Sequence, residues 1–275
     1  MRKIFIPLVV LASIALLPSC DLLNNTSKGL SSDDIVQGLK TALNVGTDSS
    51  STILHKVDGY YGNKALKILL PPEAQTILAH KDDQIFKTLN LTPQIDAQIE
   101  KVILSINRAA EDAAKDAGPI FKNAITNLTI TDGLSILNGK TPTTTKAGTT
   151  TSSFDSLAAT NYLQNQTLPD LTKVFSSPIN TSLDKDLGLG FSSNQAYSTL
   201  TSIYNQGVSG YNSTLGLLGG STMESVTSPD LGTYCTQKAL TGLFFKVGEQ
   251  EKKIRKNPFD WGIDIISKVF GSVSK

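Results

Sequence analysis

The stretch TPQIDAQIEKVILSINRAAEDAAKDAG, residues 92–118, decides the fold class of this chain. Thr92 is a capping residue and Pro93 follows at the first helical position, where a missing backbone N–H is tolerated. Apolar residues then recur every three or four positions, which is the spacing of one face of an α-helix. The stripe comprises Ile95, Ile99, Val102, Ile103, Ile106, Ala109, Ala110 and Ala113. Gly118 and Pro119 end it, so the sequence predicts one long helix with a buried face.

The same periodicity extends toward the N-terminus. Residues 31–34, Ser-Ser-Asp-Asp, supply an N-cap and an acidic first turn. The apolar residues that we expect on one stripe of the helix that follows are Ile35, Leu39, Leu43, Ile53 and Val57. Turn-rich residues at 58–63 and the Pro71-Pro72 pair then interrupt the chain, and residues 77–89 predict one or two short helices.

Toward the C-terminus the pattern remains helical, and alternation with a period of two is almost absent. Further helices are predicted over 119–126, 130–138, 154–166, 168–187, 194–204, 230–257 and 259–270. Two segments break the pattern: a threonine-rich one at 139–153 and a glycine-rich one at 205–228. We therefore predict an all-α fold, a multi-helix, bundle-like single domain with two flexible loop insertions.

The N-terminus has the organisation of a secretory leader. Arg2 and Lys3 precede an apolar run that is too short to span a bilayer comfortably, and the run ends in Leu17-Pro18-Ser19-Cys20. These four residues resemble the lipobox of bacterial lipoproteins, in which the cysteine is acylated and becomes the new N-terminus. We predict a signal peptide at 1–19, a lipid-anchored tether at 20–30 with Cys20 as the lipidation site, and a helical domain at 31–275. The alternative is an ordinary signal peptide with a cysteine nearby by chance.

Acyl chains contribute about 0.8 kcal/mol per buried methylene group, so the anchor predicts stable attachment to a membrane without a spanning segment. The expected location is the bacterial cell envelope, on the periplasmic or surface side of a membrane. Acylation of Cys20 leaves Cys235 without a disulfide partner, and we interpret Cys235 as a small buried hydrophobic residue. Removal of residues 1–19 leaves 23 basic and 24 acidic residues, a balance that does not predict nucleic-acid binding.

Seven separated segments carry a resemblance to a known family. They are GLKTALNVGT, DGYYGNKALKILLP, INRAAEDAAKDAGPIF, AITNLTITDGLSIL, AATNYL, YCTQKALTGLFF and EKKIRKNP, within residues 30–271. In order and spacing they resemble the domain-of-unknown-function family 4197, a family of bacterial secreted or lipid-anchored proteins. The resemblance implies a helical fold and no assigned activity, so it transfers no catalytic residue. The chain departs from the family pattern in its two longer loops and at Trp261, where arginine is more usual.

Four motifs of catalysis or ligand binding are incomplete. Residues 133–141 have five residues instead of four between the first glycine and Gly-Lys, so they do not form a P-loop. Residues 184–195 lack the glycine and the bidentate glutamate of an EF-hand. His55 and His80 lie in separate segments, which leaves zinc without its usual ligands, and no Gly-x-Ser-x-Gly elbow is present. We assign no catalytic residue, metal ligand or cofactor.

The charged helical segments allow two interpretations. Four pairs one turn apart favour local ion pairs on solvated faces, namely Arg108 with Asp112, Glu111 with Lys115, Glu249 with Lys253 and Glu251 with Arg255. Alternatively, charged residues of two helices line a shared polar groove, because small alanines near residue 110 permit close approach. The groove would comprise Asn107, Arg108, Glu111, Lys238, Glu249 and Arg255.

Three functional hypotheses remain open. The first is a non-enzymatic envelope lipoprotein whose helical domain binds a protein, a lipid or an envelope polymer. The second is an envelope hydrolase that uses a carboxylate pair such as Glu111 and Glu249 in the interhelical groove. The third is a carrier of a small apolar ligand, which would occupy a site lined by Tyr60, Tyr61, Tyr234, Phe244 and Phe245.

Overall fold

The computed structural model describes residues 29–140, 154–215, 221–227 and 230–273, and across these residues it contains ten α-helices and no strand. The helices are α1 (Ser32–Leu54), α2 (Gln75–His80), α3 (Gln84–Thr88), α4 (Thr92–Ala114), α5 (Ala117–Asn127), α6 (Gly133–Leu137), α7 (Ala158–Asp184), α8 (Ser193–Leu215), α9 (Leu231–Lys256) and α10 (Asp264–Gly271). Single 3-10 turns occur at Pro72–Ala74 and Pro258–Trp261. The predicted all-α single domain is confirmed.

Helix α4 is the centre of the domain. It packs against α1, α5, α7, α8 and α9, and its predicted apolar stripe faces the core. Two predicted details of its ends are wrong: Leu91 and not Thr92 is the N-cap residue, and the helix ends at Ala114, because Gly118 and Pro119 lie in the first turn of α5, where proline is tolerated. Ala109, Ala110, Ala113 and Ala114 are fully buried, so the small side chains near the end of α4 let neighbouring helices approach closely. The stretch with the strongest helical pattern is therefore the one that the other long helices surround.

Helix α1 begins as predicted and buries Ile35, Leu39 and Leu43 of the predicted stripe, but beyond Leu43 its buried face differs from the prediction. Ser31 and Asp34 form a reciprocal capping box at its N-terminus. Beyond Leu43 the buried positions are small or polar residues followed by a leucine, namely Gly46, Thr47, Ser50, Ser51 and Leu54. Ile53 and Val57, which were expected on the buried stripe, are exposed. The prediction was wrong because it followed apolar residues, whereas the 3.6-residue period carries the buried face through these small residues.

Helix α7 corrects another prediction, since residues 158–184 form one helix instead of two. Pro169 and Pro178 lie inside it. An internal proline costs about 3 kcal/mol or more, but α7 buries Leu171, Phe175 and Ile179 in the common core. Each fully buried side chain of this kind contributes about 1.5–3 kcal/mol, enough to offset the proline penalty.

Helix α8 continues to Leu215, so the loop predicted from residue 205 is wrong over 205–215. Two asparagines of this part of the helix each bind the backbone of residues 221–227 with both groups of the amide. Asn205 binds the N–H and carbonyl of Val226, and Asn212 binds those of Met223. Residues 141–153, most of the predicted threonine-rich loop, lie outside the described residues.

The C-terminal elements follow the prediction closely. The side chain of Asp230 caps α9, which ends at Lys256 before Asn257 and Pro258. Helix α10 is shorter than predicted because a 3-10 turn occupies Pro258–Trp261, and its Ile266 and Phe270 are buried. No helix within the described part of the chain has the length and apolar character to cross a bilayer.

Candidate functional site

Glu111 on α4 holds an irregular part of the chain, residues 55–71, against the core. Its Oε1 atom accepts hydrogen bonds from the backbone N–H groups of Tyr60 and Tyr61, both at 3.0 Å. Its Oε2 atom accepts from Arg108 Nη1 at 2.6 Å, and Arg108 Nη2 donates to Asp58 at 2.8 Å. Burial lowers the pKa of Arg108, but the hydrogen bonds to Glu111 and Asp58 outweigh burial and raise the pKa overall. We call this arrangement the Glu111 network.

Asn107 lies one turn before Glu111 and binds the same irregular segment. Its Oδ1 atom accepts from the backbone N–H of Ile68 at 2.8 Å, and its Nδ2 group donates to the Ile68 carbonyl at 2.8 Å. The buried amide of Asn107 therefore satisfies the backbone N–H and C=O of Ile68, which have no partner in a helix or sheet. Asn107 and Glu111 together attach residues 60–68 to α4.

Tyr60 connects this segment to α9. Its side chain is fully buried, and its hydroxyl donates to the Ala239 carbonyl at 2.7 Å. The ring lies over Gly242, where an added Cβ would sit 2.5 Å from the ring. Burial, followed by the nearby charge of Glu111, raises the pKa of Tyr60 well above its usual value. The hydroxyl therefore stays protonated and serves as a structural donor.

A second buried carboxylate, Glu251 on α9, performs a similar task at the N-terminus of α7. It accepts hydrogen bonds from the backbone N–H groups of Ala159 and Thr160 and from the Thr160 hydroxyl, at 2.7–3.0 Å. Arg255 donates to Glu251 and to the carbonyls of Ile136 and Leu137 at the end of α6. An anion at a helix N-terminus and a cation at a C-terminus are both favourable. We call this the Glu251 network.

The six residues of the predicted polar groove are thus divided among three places. Asn107, Arg108 and Glu111 share the Glu111 network, and Arg255 belongs to the Glu251 network. Lys238 and Glu249 lie instead along the outer side of α9, in separate cavities. The oxygens of Glu111 accept from Tyr60, Tyr61 and Arg108, whereas Glu249 pairs with Lys246, so the described contacts of the two carboxylates share no partner and do not form a catalytic pair.

The predicted ion pairs are partly corrected. Glu251 does pair with Arg255, but the pair is buried, with 3% and 6% of the two side chains exposed. The other three predicted pairs are wrong: Arg108 pairs with Glu111, Lys115 with Asp112 and Glu249 with Lys246, each at a spacing of three residues. Glu251 is not among the predicted site residues, although it is the buried centre of the second network. The sequence predicts its ion pair with Arg255, four residues further on, but no local pattern indicates that backbone N–H groups about 90 residues away also bind its carboxylate.

The first cavity along α9, of about 420 Å³, lies between residues 65–75 and the helix. Lys67 and Lys238 line it, as does Leu69, whose side chain is 57% exposed. The Tyr234 hydroxyl donates to the Leu69 carbonyl at 2.9 Å and so holds the N-terminal end of α9 against residues 65–75. None of the described residues that line this cavity is acidic, although Glu73 lies between the lining residues Pro72 and Gln75.

The second cavity, of about 520 Å³, lies between the start of α7 and α9 and shares Thr241 with the first. Phe245, Glu249, Lys252 and Lys253 are among its lining residues. Phe245 is 47% exposed although it sits in the middle of a core helix. This cavity therefore combines an exposed aromatic ring with two lysines and one carboxylate.

The third cavity, of about 470 Å³, lies where the end of α1 and the turn at 58–64 meet α9. Its charged residues are Lys56, Asp58, Lys64 and Lys246, and the exposed Val57 stands among them. Lys246 connects it to the second cavity, because its Nζ atom lies 2.7 Å from Glu249 and 5.8 Å from the Phe245 ring centroid.

We call the surface formed by these three adjoining cavities the lysine face. Among the described residues that line it, lysines outnumber acidic residues seven to two. Both acidic residues are already paired, Asp58 with Arg108 and Glu249 with Lys246. Lys246 pairs with Glu249, and Lys67 and Lys238 lie over the rings of Tyr61 and Tyr234. Among the described contacts, the other four lysines have no ion pair or ring partner, namely Lys56, Lys64, Lys252 and Lys253.

The aromatic residues proposed for an apolar ligand do not form one site. Tyr60 and Phe244 are buried in the core, and the Tyr61 ring lies beneath Lys67 and Arg108. Tyr234 binds the backbone of residues 69–70, and Phe245 faces solvent. Cys235 is also buried, and burial raises the pKa of its thiol to about 12. The thiol is therefore protonated at neutral pH, as expected for a packing residue.

The loop that resembled the start of an EF-hand is held by its own carboxylate. Asp186 accepts hydrogen bonds from the backbone N–H groups of Gly188, Leu189 and Gly190 at 2.8–3.0 Å. Gly188 and Gly190 have positive φ, which allows the chain to wrap around the carboxylate. Within the described part of the chain, no three His, Cys, Asp or Glu side chains are grouped to hold a metal ion.

The fold and these contacts define a class: an all-α protein whose buried charged side chains hold its backbone together and whose outer surface carries a lysine-rich face. The chain belongs to the family described as Protein of unknown function (DUF4197), whose model matches residues 29–271. This confirms the resemblance found in the seven sequence segments. No curated protein and no solved structure matches the chain.

The networks join the segments that carry the family resemblance. Glu111 and Asn107 in INRAAEDAAKDAGPIF hold the backbone of DGYYGNKALKILLP, and Tyr60 of that segment binds Ala239 in YCTQKALTGLFF. Glu251 and Arg255 in EKKIRKNP bind AATNYL and AITNLTITDGLSIL in the same way. The side chains in these segments that bind the backbone therefore hold the architecture together.

Proposed function

We propose that this protein is a lipid-anchored component of the bacterial cell envelope, attached through an acylated Cys20, whose helical domain is a non-enzymatic binding module. The observation that carries the proposal is the leader of residues 1–19 followed by Leu17-Pro18-Ser19-Cys20. A charged start, an apolar run of secretory length and a small residue before the cysteine are the features on which acylation depends.

The contacts of the buried carboxylates support a binding role over catalysis. Both oxygens of Glu111 and both of Glu251 accept hydrogen bonds from backbone or arginine donors. A general acid or base must reach a proton on its substrate, and these carboxylates are turned toward the protein itself. The side chains left available for a partner are the lysines and exposed apolar residues of the lysine face.

The test is metabolic labelling with a fatty-acid analogue in the bacterial host. We expect label in the wild-type protein and none in Cys20→Ala. Cys235→Ala is the matched control, because it removes the other cysteine and is expected to keep full label. Equal label in the wild type and Cys20→Ala would remove the lipoprotein assignment and leave an ordinary signal peptide.

A further inference from the structure

We propose that the lysine face docks on the surface of an anionic lipid bilayer. The inference rests on the proposed function, since a protein tethered at Cys20 is held next to such a surface. It adds the orientation of the domain: the side formed by α9, the end of α1 and residues 56–70 faces the lipid headgroups.

Charge segregation is the first argument. The whole chain is nearly neutral, with 25 Lys and Arg against 24 Asp and Glu. The lysine face nevertheless concentrates an excess of cations, with Lys238, Lys252 and Lys253 all exposed on α9. The two cavities between α5 and α7 show no such excess: the charged residues among their described lining are Asp116, Asp170 and Lys185. An anionic surface therefore attracts one side of the domain in preference to the other.

Exposed apolar residues stand among these lysines. Val57, Leu69 and Phe245 are 75%, 57% and 47% exposed, and each lines one of the three cavities. Surfaces that lie on bilayers combine lysines, which meet the anionic headgroups, with Phe or Leu side chains that enter the boundary between headgroups and acyl chains. The spacing of the three apolar residues, one to each cavity, suits a broad surface better than a single compact ligand.

The choice of lysine over arginine favours a bilayer over an acidic protein. Interfaces between proteins are enriched in arginine and depleted in lysine, because the planar guanidinium matches a carboxylate with two hydrogen bonds. Arg108, which contacts the face through Asp58, is already bound to Glu111 and Asp58. Flexible ammonium groups act as point charges and suit the diffuse negative potential of mixed lipid headgroups.

The experiment measures vesicle binding by the chain that begins at Asp21, which lacks both leader and anchor. The buried core is built from residues 35–270, so this chain retains all of it. The vesicles are phosphatidylcholine alone or phosphatidylcholine mixed with phosphatidylglycerol. We expect binding to the mixed vesicles only, and we expect added salt to weaken it.

Two triple variants make the test specific. Each lysine near an anionic bilayer contributes about a fivefold gain in binding, so K238Q/K252Q/K253Q is expected to bind roughly a hundredfold more weakly. The control K87Q/K122Q/K173Q removes the same charge from exposed lysines outside the face and is expected to bind within a few-fold of wild type. Phe245→Ala is expected to weaken binding about tenfold without changing its salt dependence. Circular dichroism of each variant serves as the check that it is folded.

Several outcomes would overturn the proposal: no binding of the wild-type chain to the mixed vesicles, equal losses in the two triple variants, or tighter binding to polyglutamate than to vesicles. The last result would assign the face to an acidic protein. Because the chain lacks Cys20, these results are independent of fatty-acid labelling. The bilayer proposal and the lipoprotein proposal can therefore fail separately.

Discussion

Glu111 carries its carboxylate into the interior of the protein, with 4% of the side chain exposed. A buried charge is strongly unfavourable unless it is paired and hydrogen-bonded. Arg108 supplies the opposite charge, and the backbone N–H groups of Tyr60 and Tyr61 fill the other oxygen. At the scale of the residue, the cost of burial is offset only while all three donors remain in place.

We expect Glu111→Gln to lower the free energy of unfolding by about 3–5 kcal/mol, because it leaves Arg108 without its buried partner and turns an amide N–H₂ toward existing donors. The measurement is urea denaturation followed by far-UV circular dichroism. Glu249→Gln is the control: its carboxylate is 41% exposed and paired only with Lys246, so a change within about 1 kcal/mol is expected. Equal losses in the two variants would show that Glu111 is no more than a surface ion pair.

The partners of Glu111 also show what residue spacing leaves open. On a helix, residues three and four positions away are equally near neighbours. The spacing of four residues predicts that Glu111 pairs with Lys115 and Arg108 with Asp112. In the structure Arg108 pairs with Glu111, and Lys115 pairs with Asp112. Residues 58–61 determine which pairs form, because they pack against one side of α4. Their backbone N–H groups bind Glu111, and the Asp58 side chain binds Arg108, so both side chains turn toward that side.

At the scale of the element, α8 contains Gly207, although glycine has a low helix propensity. Gly207 is buried against the ring of Phe86, and an added Cβ would overlap that ring. Phe86 is itself fully buried and stacks on Tyr204 of α8, with ring centroids 5.2 Å apart. Close approach of the ring, and not backbone conformation, is thus the reason for glycine at this position.

We expect Gly207→Ala to destabilise the protein by about 1–3 kcal/mol, as overpacking does, despite the better helix propensity of alanine. Gly210→Ala, one turn further on, is the matched control. Its Cβ would meet only the end of Leu89, which is 44% exposed and can turn aside, so a gain of up to about 1 kcal/mol is expected. Thermal unfolding of both variants tests the pair. Equal effects of the same sign would contradict the contact with Phe86.

An ion pair between Asp34 and Lys268 joins α1 to α10. Lys268 donates to Asp34 at 2.8 Å, and this hydrogen bond, followed by those from Ser31, lowers the pKa of Asp34 to about 2. The carboxyl has its ordinary pKa of 3.8 when the chain is unfolded. The stabilisation is therefore fully present above about pH 4 and is lost as the pH falls through about 2.

We expect the urea midpoint of Asp34→Asn to lie below that of wild type at neutral pH and to converge with it between about pH 4 and pH 2. Asp33→Asn removes a charge from the same helical turn and leaves the Lys268 pair intact, so its difference from wild type should change less over that range. A difference for Asp34→Asn that stays constant down to about pH 2 would mean that the ionised carboxylate is not the source of the effect.

At the scale of the whole molecule, the N- and C-terminal parts of the chain belong to one core. Helix α1 packs against α9 and α10, and α4 contacts α1, α7 and α9. The buried apolar residues form a single cluster that extends from Ile35 to Phe270. Unfolding of either end therefore exposes the packing surface of the other.

We expect one cooperative unfolding transition. Trp261 is the only tryptophan and packs against the core beside α10, whereas far-UV circular dichroism reports all helices. The two signals should follow superimposable urea curves, as two-state behaviour requires. A tryptophan transition at lower urea than the helical signal would show that the C-terminal elements unfold separately. The fluorescence of Trp261→Phe, which should be flat, is the control for the assignment.

The sequence by itself determined the features that depend on residues within one or two helical turns. The N-cap at Ser31, the buried stripe of the central helix, the Asp230 cap and the end of α9 before Asn257 and Pro258 all follow from local hydrogen bonding and periodicity. The all-α class follows from the same evidence, because helical hydrogen bonds close within the segment that forms them.

Only the tertiary structure decided the features that depend on distant partners. Pro169 and Pro178 remain inside α7, and α8 continues past residue 205, because burial against other helices outweighs local propensity. Glu111 and Glu251 are structural because backbone N–H groups about 50 and 90 residues away reach them. The lysine face exists because α9, the end of α1 and residues 56–70 meet there. Helical spacing shows which residues share a face, but only packing determines what that face meets.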